Sequence, residues 1–469
     1  MYVLVFSAVS IIILSGFVLW ADANIKGVFG DFDRAQAFMT SEAGIEYYRW
    51  HLQHAPHDYT DGTGHAGPYA HTFNDKDGNP IGAFSLDISA PLSGSSVVTV
   101  DSSGTLNANP GIKRTIESKM AIPSFVKFAA VSGTGIRFSE GTELYGPIHS
   151  NGGIRMDGIA HNLVTSSVAT YNDPSHGGGS SEFGVHTHVA PVDPTPPAAV
   201  PDRPDVFLAG RQFPVAPVDF VGITQNLQSL KASAQADGFY KSAPSNKDVG
   251  YHVILKTNET FDLYTVNSTV KPPNGCVTDL GEKDWGTWTI DKETKIATYN
   301  FPHNGIIFIE GQLWIDGQIN TARLTIGAAT FPENSSKYAH ITINKDLKYS
   351  NYDGQDIIGL VAQGNINIGW NSQDTIRIDG ALMAQNGRVG RYHYKAPDGN
   401  QSRCSPYHVR TQVTLFGTIS SQGEYGFRFS DGTGYQHIII IFDPNLMYVP
   451  PPDFPLVSTF YTSVFWKEK

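Results

Sequence analysis

The first 21 residues, MYVLVFSAVSIIILSGFVLWA, carry no charge and are apolar almost throughout. About 20 such residues in a helix cross roughly 30 Å of hydrocarbon, so the run is long enough to span a bilayer. A helix that is greasy all round has to be buried, in lipid or among other helices. A secretory signal peptide opens on a basic region, has a shorter apolar core and ends at a small-residue cleavage site. Here the first positive charge is Lys26, after the run. The expectation is a processed chain that starts at Met1 after loss of a short basic leader. The competing reading is an uncleaved one-pass anchor holding an exported domain.

The segment after Trp20 does not read as a loop. Ile25, Val28, Phe29, Phe32, Ala35 and Met39 recur at three- and four-residue steps, with Asp22, Lys26, Asp31, Asp33 and Arg34 between them. That spacing predicts an amphipathic continuation of the same helix. Good helix formers in SEAGIEYYRW carry it to about His51, and Pro56 argues for an end just before it. A helix of some fifty residues is about 75 Å long. It cannot bury itself, so a β domain and neighbouring copies are its expected partners.

At this point the chain resembles the type IV pilins, which have an apolar half-helix, an amphipathic half-helix and then an antiparallel sheet. SEAGIEYYRWHL is similar to the close of the first helix in large pilus-assembly proteins of the PilX-like kind. The resemblance implies that Val3, Val5, Phe6, Ile11, Ile12, Ile13, Leu14, Phe17 and Leu19 line a filament core. One departure stands out. Classical major pilins carry glutamate as their fifth mature residue, and with Met1 as the first residue, Val5 occupies that place.

With 47 glycines, 28 prolines, 12% aromatic and only 16% charged residues in 469, the composition favours short strands and turns. The formal net charge of −11 and the lack of a basic cluster exclude nucleic acid as a main partner. Cys276 and Cys404 either form one disulfide in an oxidising compartment or remain as two thiols, and neither belongs to a C-x-x-C metal pair.

After a Gly/His/Asp loop over 55–70, strand-like pieces at 71–73, 82–89, 96–101 and 112–118 predict an antiparallel meander, so that 55–122 forms a pilin-like β domain on the helix. Its first turn, Asn74 to Pro80, superficially resembles a calcium loop. The sixth position counted from Asp75 is Pro80 instead of glycine, which favours a β-turn.

From about 123 to 469 the texture changes to short apolar strands punctuated by glycine, among them 306–309, 313–315, 324–326, 341–343, 366–368 and 376–378. Gly146-Pro-Ile-His-Ser-Asn-Gly152 is echoed by Gly417-Thr-Ile-Ser-Ser-Gln-Gly423 and more loosely by the stretch Gly380 to Gly387. This predicts a β-helix-like (solenoid) head, with a β-sandwich as the alternative. The stretches GIIFIEGQLWIDGQINTARLTIGAAT, DIIGLVAQGNINIG and IIIIFDPNLMYVPPPDFP look like the C-terminal region of the same pilus-assembly proteins. A Gly/Pro-rich interruption near 172–250 includes a short helix with Ile223, Leu227, Leu230 and Ala234 on one face and Asp219 as its N-cap.

Little of this carries chemistry. His176, His186 and His188 offer imidazoles, but in a Gly/Pro setting with no second cluster at telling spacing they read as structural or surface residues, as do His51, His54 and His57. No G-x-S-x-G, H-E-x-x-H or phosphate-cradling loop occurs. Asp374 and Asp379 are the kind of pair that flanks a sugar in a groove, a pairing common in exported β proteins. Asn258, Asn267, Asn334 and Asn400 stand in N-x-[ST] sequons and read as exposed polar turns.

The expected protein is mainly β with one long N-terminal helix, without catalytic residues, cofactor or metal. Its expected role is that of a subunit of a type IV pilus-like filament. Its helix first anchors in the cytoplasmic membrane and then joins a core of identical or related pilin helices, with help from the assembly machinery. Its β head faces outward at the cell surface, available for adhesion to host or neighbouring cells. The alternative is a membrane-anchored surface β-helix protein that binds or cleaves polysaccharide.

Overall fold

The computed structural model describes residues 2–92, 94–174, 181–220, 223–245, 247–278, 287–396, 399–424, 426–429 and 431–469, the side chains of 223–226 and 401 excepted. The protein is mainly β, with one long helix at its N-terminal end. It divides into two compact units, one formed by 1–92, 96–122 and 459–469, the other by 93–95 and 123–458.

In the first unit a single helix, α1, runs without interruption over Tyr2–His54, about 80 Å. It ends where predicted: Ala55 N–H closes on the His51 carbonyl at 2.8 Å, and Pro56 has no N–H to continue the ladder. A five-stranded antiparallel sheet comes next, in the order Tyr69–Asn74, Pro80–Ser89, Val98–Leu106, Lys113–Ala121 and Thr462–Glu468. The turn between the first two strands is held by the Asp75 carboxylate, which accepts from the N–H groups of Asp77 and Asn79 at 2.9 and 2.8 Å. It joins a hairpin with Tyr69 opposite Leu86. The last strand departs from the predicted organisation, in which 459–469 belongs with the region after 122. It pairs with Lys113–Ala121, is tied by the Arg114–Glu468 ion pair, and places Lys469 Nζ 2.6 Å from Asp101 and 2.9 Å from Glu117.

The face that α1 turns to this sheet differs from the predicted stripe. Its buried residues are Ala37, Thr40, Ser41, Gly44, Ile45, Tyr48 and Leu52. Small residues set the approach: a Cβ on Gly44 would overlap Ser102 Oγ and the Phe84 ring, and one on Gly104 would overlap the Ala37 carbonyl. Towards the end of α1, Ile45, Tyr48 and Leu52 close a core with Phe84, Leu86, Val98, Val100, Ile116 and Met120.

In the second unit parallel ladders dominate. One joins Phe239–Lys241, Ile306–Glu310, Arg323–Ala329 and Ile357–Ala362 to Thr375–Ala384 and Val409–Ser421. A second joins Gly250–Leu255, Gln312–Gln318, Ile341–Thr342, Ile366–Ile368 and Val389–Arg391. The first ladder then continues onto strands that come earlier in the chain: Ile419 lies beside Ala130, Ala130 beside Ile148, and Ile148 beside Val164. The strands at 130–132, 148–150 and 164–166 thus stack after 409–421, not before 239. The echoed glycine segments fall into register here, with Gly380 beside Gly417 and Leu382 beside Ile419. Gly417 has φ 142°, and any Cβ on it would overlap the Gly380 carbonyl, so both stacked positions require glycine.

The first ladder is buried on both faces, which accounts for runs such as IIFI and IIGLVA in place of simple alternation. Ile307, Ile309, Ile326, Ile358 and Leu360 point into the main core. Ile306, Phe308, Ile357, Val361 and Met383 point to a second core closed by Phe125, Phe220, Phe454 and a second helix, α2 (Ile223–Asp237). As predicted, α2 buries Leu227, Leu230 and Ala234, while the side chain of Ile223 is outside those described. The second-ladder strand Gly250–Leu255 also opens an antiparallel excursion through Thr260–Thr269 and Ile290–Asn300.

Candidate functional site

The N-terminal half of α1 packs against nothing among the described residues of its own chain. Among the described residues, fourteen large apolar side chains between Tyr2 and Trp20 are exposed, Ile12 and Leu19 each at 70%. Burying such a side chain is worth about 1.5–3 kcal/mol, so leaving this surface in water forfeits on the order of 20 kcal/mol. That exceeds the net stability of an ordinary domain. The surface therefore requires lipid or other protein. Val3, Val5, Phe6, Ile11, Ile12, Ile13, Leu14, Phe17 and Leu19 are all among these residues and lie all round the helix. This is the one helix long and apolar enough to cross a membrane among the described residues.

The predicted amphipathic stripe supplies a second apolar surface. Ile25, Val28, Phe29, Phe32 and Met39 are 54–69% exposed. At 100° per residue this stripe is centred about 150° away from the face formed by Ala37, Ser41, Gly44, Tyr48 and Leu52. One side of α1 is thus seated on its sheet, while the opposite side is apolar and open. Exposed pairs such as Lys26–Asp22 at 2.7 Å and Arg34–Asp31 at 2.9 Å flank the open stripe.

A competence-associated pilin is similar in structure. It is ComZ from Thermus thermophilus, 13% identical, with a TM-score of 0.31 over 93% of this chain and 98% of that one. No protein-family model matches the chain, and no curated protein matches it either.

The remaining residues singled out in the sequence are distributed over several places. Cys276 and Cys404 are joined in a disulfide, with Cα atoms 5.0 Å apart, among Trp370, Tyr392 and Tyr394. Trp370 donates its indole N–H to the Cys404 carbonyl at 3.0 Å. Asp374 and Asp379 do not form a sugar-flanking pair. Asp379 is fully buried, accepting from Tyr349 N–H, the Tyr352 hydroxyl and Arg377, whereas Asp374 is exposed and binds Thr411. His51 lies 3.0 Å from Asp58, and His54 bonds the Trp50 carbonyl one turn back.

Two groupings form in the fold, one from residues far apart in the sequence and one that adds a carboxylate to a histidine pair already visible there. His252 bridges Glu293 at 2.7 Å and Asp316 at 3.0 Å. They line a groove of about 430 Å³ with Asn344, Asn371 and Gln373. Burial opposes the charge on His252, but the two carboxylates outweigh it and raise its pKa. The other grouping is Asp173, His186 and His188, whose ligand-type atoms all lie within 4.8 Å of one another. His186 is fully buried, and burial lowers its pKa, favouring the neutral ring. His176 lies outside the described residues.

Proposed function

We propose that this chain is a structural subunit of a type IV pilus-like extracellular filament. The observation that carries the proposal is the two-sided helix: an apolar half that no described residue of its own chain covers, continuing into an open apolar stripe opposite the sheet-facing side. A membrane accounts for the first feature alone. Neighbouring helices account for both, because residues 25–39 lie beyond the roughly 20 residues that one crossing needs. In this account α1 waits in the cytoplasmic membrane and then moves into a bundle of identical or related pilin helices, so its side chains pass from lipid to protein without meeting water. The parallel ladders of the second unit serve as a solenoid-like head for contact with other surfaces. The role is not enzymatic.

Phe29→Asp with Phe32→Asp tests this against a simple anchor. Both side chains are open in the subunit and lie beyond the crossing segment, so folding and membrane insertion should persist while filaments are lost from the cell surface. A simple anchor would leave the double variant indistinguishable from the wild type in every assay.

A second reading draws on the polar groove around His252, which supports binding of a hydroxyl-rich ligand such as a polysaccharide. Glycan-array binding that Asp316→Asn abolishes would support it.

A further inference from the structure

We propose that Asp173, His186 and His188 form a binding site for a divalent transition-metal ion of the zinc class. The site grows from a short parallel ladder of Ile136–Phe138, Ile154–Met156 and Val185–His186. Successive side chains on a strand point to opposite faces. Ile136, Ile154 and Val185 accordingly fill the core, while Arg137, Arg155 and His186 stand in register on the other side.

His186 is the deciding residue. Its Nδ1 lies 3.1 Å from the Phe183 carbonyl, which fixes the proton on Nδ1 and leaves the lone pair on Nε2. Metal-binding histidines are usually held in this way, through a carbonyl on the far nitrogen. Nε2 is buried and makes no hydrogen bond among the described residues. It is aimed at Asp173 Oδ2, 3.7 Å away. A buried acceptor without a donor is costly, and an ion between the two groups would satisfy Nε2.

The surroundings fit the same chemistry. His188 comes two residues later, with ring centroids 5.2 Å apart, and its Nε2 is buried as well. Its backbone N–H donates to Asp157 Oδ1 at 2.9 Å. Arg155 Nη1 donates to Asp173 Oδ2 at 3.1 Å. A carboxylate has about four lone-pair positions, so Asp173 can hold the arginine and still ligate a metal. Two imidazoles and one carboxylate suit zinc or cobalt more than calcium or magnesium, and leave a fourth position for water or a further ligand. Bound there, the ion would link the loop after Thr170–Tyr171 to the one leaving Val185–His186.

The test uses the full chain in detergent, stripped with a chelator, then titrated with Zn²⁺ by calorimetry and with Co²⁺ by visible absorption. One equivalent should bind, with a tetrahedral cobalt spectrum. His186→Ala and His188→Gln should each weaken binding by more than about 100-fold, beyond what loss of an outer partner costs. His54→Gln, exposed and in the first unit, should bind as the wild type does. His188 is partly exposed, so its variant keeps the test decisive if His186→Ala misfolds. Absence of a stoichiometric site, or binding indifferent to the His188 substitution, overturns the proposal.

Discussion

Gly44 and Gly30 occupy one helix and predict opposite outcomes. At Gly44 any side chain meets Ser102 and Phe84, whereas nothing lies within 4 Å of a Cβ on Gly30. Gly44→Val should therefore destabilise the first unit by about 1–3 kcal/mol through overpacking. Gly30→Ala should stabilise the isolated subunit by up to about 1 kcal/mol through helix propensity. Urea unfolding of the two variants checks both signs. His340 offers a pH test. Burial, with Arg388 nearby, pushes its pKa down to about 4, and its neutral Nδ1 accepts the Asn365 N–H at 2.8 Å. A histidine depressed in the folded state contributes stability above its unfolded value near 6.5, and loses it as pH falls towards 4. Unfolding free energy should decline across that window by up to about 1.4 kcal/mol per pH unit from this group, and the decline should be shallower in His340→Gln.

At the scale of elements, the disulfide has a long reach. Cys276 and Cys404 are 128 residues apart. A loop of that size implies about 5 kcal/mol in the chain-entropy model. Cys276→Ser with Cys404→Ser should lower the denaturant midpoint of the second unit and leave that of the first unchanged, as read by two-phase unfolding. The elements also divide by how plainly the sequence announces them. The helix is legible because an uncharged run and a 3.6-residue rhythm are local signals, and the hairpins after it are legible from alternation and turn residues. The sheet-facing side of α1 is not, because Thr40, Ser41 and Gly44 add nothing to a hydrophobic period and act through their small size. Thr462–Glu468 is hidden because its partner strand lies some 340 residues earlier, and the return of the ladder from Ile419 to Ala130 is hidden for the same reason. His186 and His188 are visible as a pair, but Asp173, across a Gly-rich stretch, is what completes the grouping.

At the scale of the whole molecule, the chain presents a helix that its described residues leave half uncovered. The uncovered surface comprises the apolar half of α1 and the stripe through Phe29 and Phe32, and both are proposed to meet other helices. The most direct measurement is electron cryomicroscopy of fibres sheared from cells that make this chain. Fibres containing this chain are expected, with residues 2–39 of α1 packed in a central helical bundle and the stripe through Phe29 and Phe32 against a neighbouring helix. Recovery of the chain only as single anchors in the membrane fraction, or fibres whose core excludes α1, would contradict this.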